Sequence, residues 1–366
     1  MHRYLDANAS EPLRPEARQA MLAAMAAAGN PASVHAAGRA ARRVLEDARE
    51  TIAAAFGARP DRVIFTSGAT EANALALHAT AAGRRVLIGA SEHDSLLAAA
   101  PDAPRLPVDR DGRADLDALA AFLADGPPAW VALMAANNET GTLQPVAEAA
   151  GLCRRHGAWL HVDAVQAAGR MTLDLAALGA HSLALSGHKL GGPQGAGALL
   201  LGDIAAPRPI LAGGGQERGW RAGTPPLPAI AGFAASVRAA RTDDRLAPLR
   251  AIIEAAARDA GAIVCGAGAP RLANTTCLAL PGVRADAQVI ALDLAGIAVS
   301  AGAACSSGKV APSHVLAAMG LGRLAGEAIR VSLPWNATEA DARAFADAYP
   351  AIAARLRAAS LAPAAA

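Results

Sequence analysis

Short apolar runs alternate with helical patterns from residue 63 onward. Runs of about four to eight nearly continuous apolar residues are typical of strands that are buried on both faces of a sheet. Because helical segments separate these runs, we expect right-handed crossovers and a mainly parallel sheet with helices on both faces. The predicted strands are residues 63–65, 85–90, 130–135, 158–163, 182–186 and 197–201.

The chain on either side of this pattern differs from it. Residues 4–6 are predicted to be extended, and two alanine-rich amphipathic helices follow at 14–28 and 36–56. A Gly/Pro-rich passage at 207–228 is interpreted as a hinge between domains. Beyond it, helices are predicted at 228–240, 246–260 and 339–358 and strands at 262–264, 275–280, 298–300 and 329–333.

This order predicts two domains. Residues 16–239 form a large α/β domain, and residues 1–15 with 240–366 form a smaller α+β domain. A length of 366 residues agrees with this division, since single hydrophobic cores stop growing at about 250–300 residues.

Charge and composition restrict the class of partner. A formal net charge of +2, without a long run of either sign, gives no electrostatic footprint for nucleic acid or anionic lipid. No apolar run approaches the roughly 18 residues of a membrane span, and the first residues lack the features of a signal peptide. Four cysteines without CxxC spacing favour neither a disulfide framework nor a zinc site. We expect a cytoplasmic protein with a small-molecule substrate and no metal, nucleic-acid or membrane partner.

Two predicted strands end in side chains that suit one cofactor. Asp163 ends one strand and Lys189 follows the next, so both should reach the crevice at the carboxyl ends of a parallel sheet. A lysine can hold pyridoxal 5'-phosphate covalently, while a carboxylate pairs with the pyridinium nitrogen of its ring. Either residue alone is as well explained by a helix cap or a solvated side chain. Together they predict a pyridoxal-phosphate site.

A turn between a strand and a helix could bind the phosphate. Thr66-Ser67-Gly68-Ala69-Thr70-Glu71 lies between the strand 63–65 and a helical pattern, where free backbone N–H groups bind anions. Ser and Thr also cap helices routinely, so the turn becomes specific only beside Lys189.

Several motifs follow one another along nearly the whole chain. They are His161-Val-Asp-Ala-Val-Gln166, Ser186-Gly-His-Lys189 and Gly213-Gly-Gly-Gln-Glu-Arg-Gly-Trp-Arg-Ala-Gly-Thr224, together with residues 4–12, 30–35, 68–73, 91–93, 137–141, 303–305 and 329–332. These motifs and their order resemble cysteine desulfurases of the NifS/IscS type, within the class V aminotransferase family. The resemblance implies a pyridoxal-phosphate-dependent transferase fold of the aspartate aminotransferase type and a homodimer.

The resemblance also implies roles around the cofactor. His93 would lie over the ring and move a proton, Gln166 would bond the ring phenolate, and Asn138 would bond the phenolate or the substrate carboxylate. Thr224 would reach the phosphate of the neighbouring subunit. The residues implied to hold the phosphate within one subunit are Ala69, Thr70, Ser186 and His188.

Cys305 and Arg330 would complete the reaction with L-cysteine. Cys305 lies in a small, polar segment without apolar flanks, which predicts a mobile loop. Its thiolate could take the substrate sulfur as a persulfide and leave L-alanine. Arg330 would clamp the substrate carboxylate. The resemblance implies transfer of this sulfur to an acceptor protein, for iron–sulfur cluster assembly or thiolation.

Two other classes of function stay open on the sequence. A selenocysteine lyase or another class V aminotransferase-like enzyme would keep Lys189 and Asp163 without needing Cys305. A non-catalytic partner in a sulfur-transfer complex would keep only the fold.

Overall fold

A computed structural model describes residues 2–204, 208–242, 244–302 and 311–361. The predicted elements are present within these ranges, with ends shifted by a few residues. The strands are β1 (Arg3–Tyr4), β2 (Val63–Thr66), β3 (Arg85–Gly89), β4 (Arg105–Leu106), β5 (Ala129–Ala132), β6 (Trp159–Asp163), β7 (Ser182–Ser186), β8 (Gly197–Leu201), β9 (Ile263–Cys265), β10 (Thr275–Ala279), β11 (Ile297–Ala298), β12 (Ser300–Ala301) and β13 (Ala328–Ser332). The helices are α1 (Pro15–Met25), α2 (Ala36–Ala55), α3 (Ala69–Thr80), α4 (Asp94–Leu97), α5 (Leu116–Ala124), α6 (Val146–Arg155), α7 (Leu175–Leu178), α8 (Leu227–Ala239), α9 (Leu246–Asp259), α10 (Ala285–Leu294), α11 (His314–Ala318) and α12 (Glu339–Leu361).

The central sheet has the strand order β2-β8-β7-β6-β5-β3-β4. Neighbouring strands from β7 to β4 are parallel, whereas β8 is antiparallel to both β7 and β2. The predicted α/β class with a mainly parallel sheet is therefore confirmed. The sequence did not predict the two-residue edge strand β4, which is too short to give an alternation pattern.

A second sheet belongs to a separate core. Its order is β12-β13-β10-β9, with antiparallel pairs throughout. The N-terminal strand β1 pairs in parallel with β11, and Leu5 is buried in the same hydrophobic core as Phe345 and Tyr349 of α12. The start of the chain thus packs with its last third.

The helix α8 shows where the large unit ends. It packs on α1 and α2, and its Ile230 and Phe233 lie in the core of the central sheet. The interpretation of 207–228 as a hinge is therefore wrong, because the helix that follows this passage still belongs to the large unit. We propose the boundary between α8 and α9, which divides the chain into 16–239 and 1–15 with 240–366 as the sequence predicts.

A buried ion pair fixes a turn within the segment 213–224. Glu217 and Arg218 adopt left-handed backbone conformations, with φ of 46° and 58°, which side chains other than glycine adopt at a cost. The Glu217 carboxylate accepts bonds from Nη1 and Nη2 of Arg49 at 2.8 and 2.7 Å and from the Phe65 N–H of β2 at 2.8 Å. The side chains of Arg49 and Glu217 are 2% and 3% exposed. This pair therefore holds the strained turn against the central sheet.

Replacing Arg49 should strongly destabilise the protein, because Glu217 would be left as a buried, unpaired charge. Arg49→Met is expected to lower the free energy of unfolding by about 3–5 kcal/mol. The double variant Arg49→Met/Glu217→Leu should recover part of that loss, since it removes both charges. Chemical denaturation followed by circular dichroism measures both.

The exposed pair Arg59–Asp61 provides a matched control. Arg59→Met should change stability little, because both partners of an exposed pair stay hydrated. Equal losses in Arg59→Met and Arg49→Met would contradict the role of the buried pair.

Candidate functional site

A cavity of about 660 Å³ opens where strands of the central sheet end, and Arg330 of β13 also lines it. It is formed beside the carboxyl ends of β2, β6 and β7 and the first turn of α3. Thr224 does not line it and is exposed, and Cys305 lies outside the described residues. The predicted site residues that line it are Ala69, Thr70, His93, Asn138, Asp163, Gln166, Ser186, His188, Lys189 and Arg330.

Asp163 is held in place by a buried polar network. Its Oδ2 accepts a bond from Asn73 Nδ2 at 2.7 Å, and its Oδ1 accepts one from the Val165 N–H at 3.0 Å. Asn73 Oδ1 lies 2.9 Å from Nε2 of His161, whose Nδ1 lies 2.8 Å from the Ser182 hydroxyl. Burial lowers the pKa of His161 to about 3, so this ring stays neutral and is no cationic partner for the carboxylate.

Lys189 follows β7 in a short 3₁₀ turn, Gly187–Lys189. Its Nζ donates to the backbone carbonyls of Asn8 at 2.5 Å and Ala9 at 3.0 Å. The Glu11 N–H donates to the His188 carbonyl at 2.8 Å, so the N-terminal segment passes beside the lysine. The amine is therefore held at the cavity wall.

The first turn of α3 forms the anion-binding end of the cavity. Its first backbone N–H groups have no intrahelical acceptor, and the helix dipole favours negative charge there. Ser186 and His188 line the same end. Gly197 of β8 permits this close packing, because a Cβ there would lie 2.6 Å from the Gly68 Cα. Burial and the neighbouring Lys189 lower the pKa of His188 to about 4, so it acts as a neutral ring near pH 7.

His93 begins helix α4 and is oriented by Ser95. Its Nδ1 accepts the Ser95 N–H at 3.1 Å and lies 3.0 Å from the Ser95 hydroxyl. Because Nδ1 is an acceptor, the proton of the neutral ring lies on Nε2. Asn73 Nδ2 also donates to the Ser95 hydroxyl at 2.9 Å, so His93 and Asp163 are connected through one amide.

Arg330 is buried, at 3% exposure, and only partly paired. Its Nη2 donates to Asp6 Oδ1 at 2.7 Å, and its Nη1 donates to the Asn138 carbonyl at 3.3 Å. Asp6 Oδ2 accepts the Ser300 hydroxyl at 2.7 Å, which fixes the carboxylate. Within the described residues, Arg330 Nε has no hydrogen-bond partner. A guanidinium held in this way can still donate to a substrate carboxylate.

Gln166 is engaged on both sides of its amide. Its Nε2 donates to the Asn8 carbonyl at 3.2 Å, and its Oε1 accepts Nη1 of Arg170 at 2.5 Å. The backbone carbonyl of Asn138 accepts Asn8 Nδ2 at 3.0 Å. Both residues line the cavity, and the N-terminal segment positions both.

Sequence reasoning did not assign the residues that orient the site. Asn73, Ser95, Asn8 and Asp6 lie beside residues that it did assign, but their contacts join distant parts of the chain. The fully buried Glu92 was also missed; burial and the nearby charge of Asp163 raise its pKa well above the usual range. The only indication of these residues in the sequence was that most of them lie within the stretches that carry the family resemblance.

The donor set of the cavity fits a phosphate-bearing pyridine cofactor. A helix N-terminus with hydroxyl and imidazole groups suits a phosphate. Among the described residues no cationic side chain bonds the Asp163 carboxylate, which suits a ring N–H⁺. Lys189 supplies the amine for covalent attachment. Ala69, Thr70, Ser186 and His188 would hold the phosphate, and Asp163 would hold the ring nitrogen.

Comparisons with known proteins agree with this cavity. Residues 3–345 match the family model Aminotransferase class-V. A cysteine desulfurase of Cereibacter sphaeroides is 42% identical over 376 residues, covering 98% of this chain and 97% of the relative. The structure of a NifS-like protein from Rickettsia africae ESF-5 is 33% identical with a TM-score of 0.89, covering 96% of this chain and 99% of the other.

A further solved structure is described as SspA in complex with cysteine. It is 28% identical, has a TM-score of 0.80 and covers 91% of this chain and 99% of the other. The match of family model, relatives and fold extends over nearly the whole length. The chain therefore belongs to the class V aminotransferase family, among its cysteine desulfurases of the NifS/IscS type.

Proposed function

We propose that this chain is a pyridoxal-phosphate-dependent cysteine desulfurase that converts L-cysteine to L-alanine and takes the sulfur as a persulfide on Cys305. One observation carries the proposal: Lys189, Asp163, the first turn of α3 and Arg330 line one cavity. They come from distant parts of the sequence and supply an amine, a carboxylate, an anion site and a carboxylate clamp. The family membership supports the same reaction.

The bound cofactor supplies an electron sink for negative charge that develops at the substrate Cα. The chain contributes the groups that hold it, and Asp163 stabilises a proton on its ring nitrogen. Asn73 and the Val165 N–H hold that carboxylate in place through hydrogen bonds to its two oxygens.

Arg330 binds the substrate carboxylate and so orients the amino acid. Its Nη2 is fixed by Asp6 and its Nη1 by the Asn138 carbonyl, and a guanidinium has five N–H donors, so donors remain for the substrate. Asn138 lines the same part of the cavity and is proposed to add a side-chain bond. Orientation of this kind lowers the entropic cost of reaction.

Two groups are proposed to move protons. Lys189 Nζ would take the Cα proton of the substrate. His93 Nε2, which carries the proton of the neutral ring, exchanges a proton with the substrate or cofactor. Asn73 and Ser95 hold that ring and the Asp163 carboxylate in a common network.

Cys305 completes the proposed reaction. Its thiolate attacks the substrate sulfur, the sulfur–carbon bond of cysteine breaks, and the Cβ takes up a proton. One L-cysteine and one Cys305 thiol therefore give L-alanine and one Cys305 persulfide. An acceptor protein, or a thiol reductant in vitro, then removes the outer sulfur.

The active form is proposed to be a homodimer in the cytoplasm, in which Thr224 reaches the phosphate of the neighbouring subunit. Thr224 is exposed in the single chain, and its segment is tied to the phosphate turn. Arg221 Nε donates to Glu71 Oε1 at 2.7 Å, and Glu71 Oε2 accepts the Ser67 N–H at 2.7 Å.

The helices within the described ranges are all too short or too polar to cross a membrane.

Replacing Cys305 distinguishes the desulfurase from a selenocysteine lyase or transaminase. Cys305→Ala should release no more alanine from L-cysteine than a reaction without enzyme, while wild type releases alanine and, with a thiol reductant, sulfide. Cys153→Ala is the matched control, because burial raises the pKa of this thiol to about 12 and it cannot act as a nucleophile near pH 7. Visible absorbance of the bound cofactor checks that each variant is loaded.

Equal alanine release by wild type and Cys305→Ala would contradict the role of Cys305 and favour the lyase. A protein that takes up no pyridoxal phosphate would instead support the non-catalytic partner.

Arg330→Lys should raise the KM for L-cysteine by about 10- to 100-fold, with a smaller change in kcat. The substitution keeps the charge but loses the planar donors, and hydrogen bonds to charged groups are worth about 1.5–3 kcal/mol. Steady-state alanine release measures both constants. Arg323→Lys, at an 87% exposed side chain, is the control that should leave them unchanged. An unaltered KM in Arg330→Lys would contradict the clamp.

A further inference from the structure

Two of the buried cysteines face each other in the second sheet. In the antiparallel pair of β9 and β10, Cys265 lies directly opposite Cys277. Side chains that are directly opposite in such a pair lie on the same face of the sheet. Both cysteines belong to one small hydrophobic cluster, at 2% and 0% exposure, and both are free thiols. The fold therefore brings two reduced sulfur atoms together.

The register of this pair satisfies the backbone geometry of a disulfide. Opposite residues in antiparallel strands have Cα atoms about 4.5 or 5.5 Å apart, depending on whether the pair is hydrogen-bonded. Both distances lie within the range of roughly 4.4–6.8 Å that a disulfide spans. A bond between Cys265 and Cys277 would thus need no change in strand pairing.

Strand β9 gives a small oxidant access to the pair. It is the last strand in the order of its sheet and has only three residues, Ile263–Cys265. Ile263 is 46% exposed, so the strand begins at the surface. Short elements at the edge of a domain open locally at a lower cost in free energy than global unfolding. A molecule as small as hydrogen peroxide can enter through such an opening.

The contact between the two thiols favours ionisation of one of them. Their hydrogen bond lowers the pKa of Cys265 and, with burial, raises that of Cys277. For Cys153, in the core of the central sheet, burial instead raises the pKa to about 12. Because the thiolate is the nucleophile, Cys265 is the residue of the pair that reacts first.

We propose that Cys265 and Cys277 are a redox-sensitive pair that hydrogen peroxide converts reversibly to a disulfide. The Cys265 thiolate attacks one peroxide oxygen, the O–O bond breaks, and a sulfenic acid and hydroxide are formed. The Cys277 thiol then attacks the Cys265 sulfur, the S–O bond breaks, and the oxygen leaves as water with the thiol proton. The two sulfur atoms lose two electrons, which reduce the peroxide. A thiol reductant restores both thiols by exchange.

The disulfide would form beside the proposed substrate clamp. Cys277 lies directly opposite Arg330 of β13 on its other side, so Cys265, Cys277 and Arg330 form one row across the sheet. Disulfides that form in a reducing compartment are usually transient and serve catalysis or redox sensing. Neither thiol lines the cofactor cavity, which makes redox sensing the role that fits this pair.

Peptide mapping without reductant tests the proposal. The protein is the full-length, cofactor-loaded Cys305→Ala variant, which retains Cys153, Cys265 and Cys277. After treatment with hydrogen peroxide, we expect a crosslinked peptide that joins Cys265 to Cys277 within one chain. Thiol titration of the denatured protein should then find one free thiol instead of three, and dithiothreitol should restore all three.

Variants of the other cysteines locate the bond. In the same background, Cys153→Ala is the matched control and should still form the disulfide, because Cys153 is buried in a different core. Cys265→Ala should leave Cys277 reduced, because the sulfur that reacts with peroxide is gone. The Tm of each variant before oxidation verifies that it is folded.

Three free thiols after peroxide treatment, or a loss of thiols without the peptide that joins Cys265 to Cys277, would overturn the proposal. A crosslink through Cys153 or between two chains would overturn it as well. Failure of wild type to release alanine from L-cysteine would contradict the proposed function instead. The mapping would still test this pair, because it requires no turnover.

Discussion

The site depends on how the buried carboxylate of Asp163 is bonded. A carboxylate at 6% exposure is costly unless donors surround it, and the Asn73 amide supplies one of them. The same amide contacts His161 and Ser95, and Ser95 orients His93. The Asn73 side chain of α3 thus connects His161 and Asp163 of β6 with Ser95 of α4. A neutral His161 is essential here, because a positive ring beside Asn73 would compete with the cofactor for the charge of Asp163.

On the other side of the cavity, hydrogen bonds from the N-terminal segment orient the functional side chains. Asn8 offers its carbonyl to Lys189 and its amide to the carbonyl of Asn138, while Asp6 pairs with Arg330. The segment is thereby hydrogen-bonded to residues of the large unit and to Arg330 of the second sheet. The amine that is proposed to hold the cofactor and the guanidinium that is proposed to hold the substrate are aligned by one short stretch of chain.

The sequence was sufficient to predict the fold and to bring Asp163 and Lys189 to one cavity, because both leave local signals. Continuous apolar runs indicated the buried strands, and Asp163 and Lys189 could be recognised as strand-end residues. The antiparallel direction of β8 was not predictable, since a strand buried on both faces has the same pattern in either direction. Asn73 was missed because its partners are at least 22 positions away in the chain. The proposed role of Thr224 requires a second subunit, and the proposed role of Cys305 falls on residues outside the described ranges.

The buried cysteines strengthen the assignment of sulfur transfer to Cys305. A sulfur acceptor must ionise and reach the substrate, but Cys153, Cys265 and Cys277 are at most 2% exposed and none of them lines the cofactor cavity. The hydrogen bond between Cys265 and Cys277 lowers the pKa of Cys265 and, with burial, raises that of Cys277. Even the thiol that this pairing favours for ionisation is enclosed within the second sheet. Cys305 comes three positions after Gly302, which does line the cavity, and it remains the proposed sulfur acceptor.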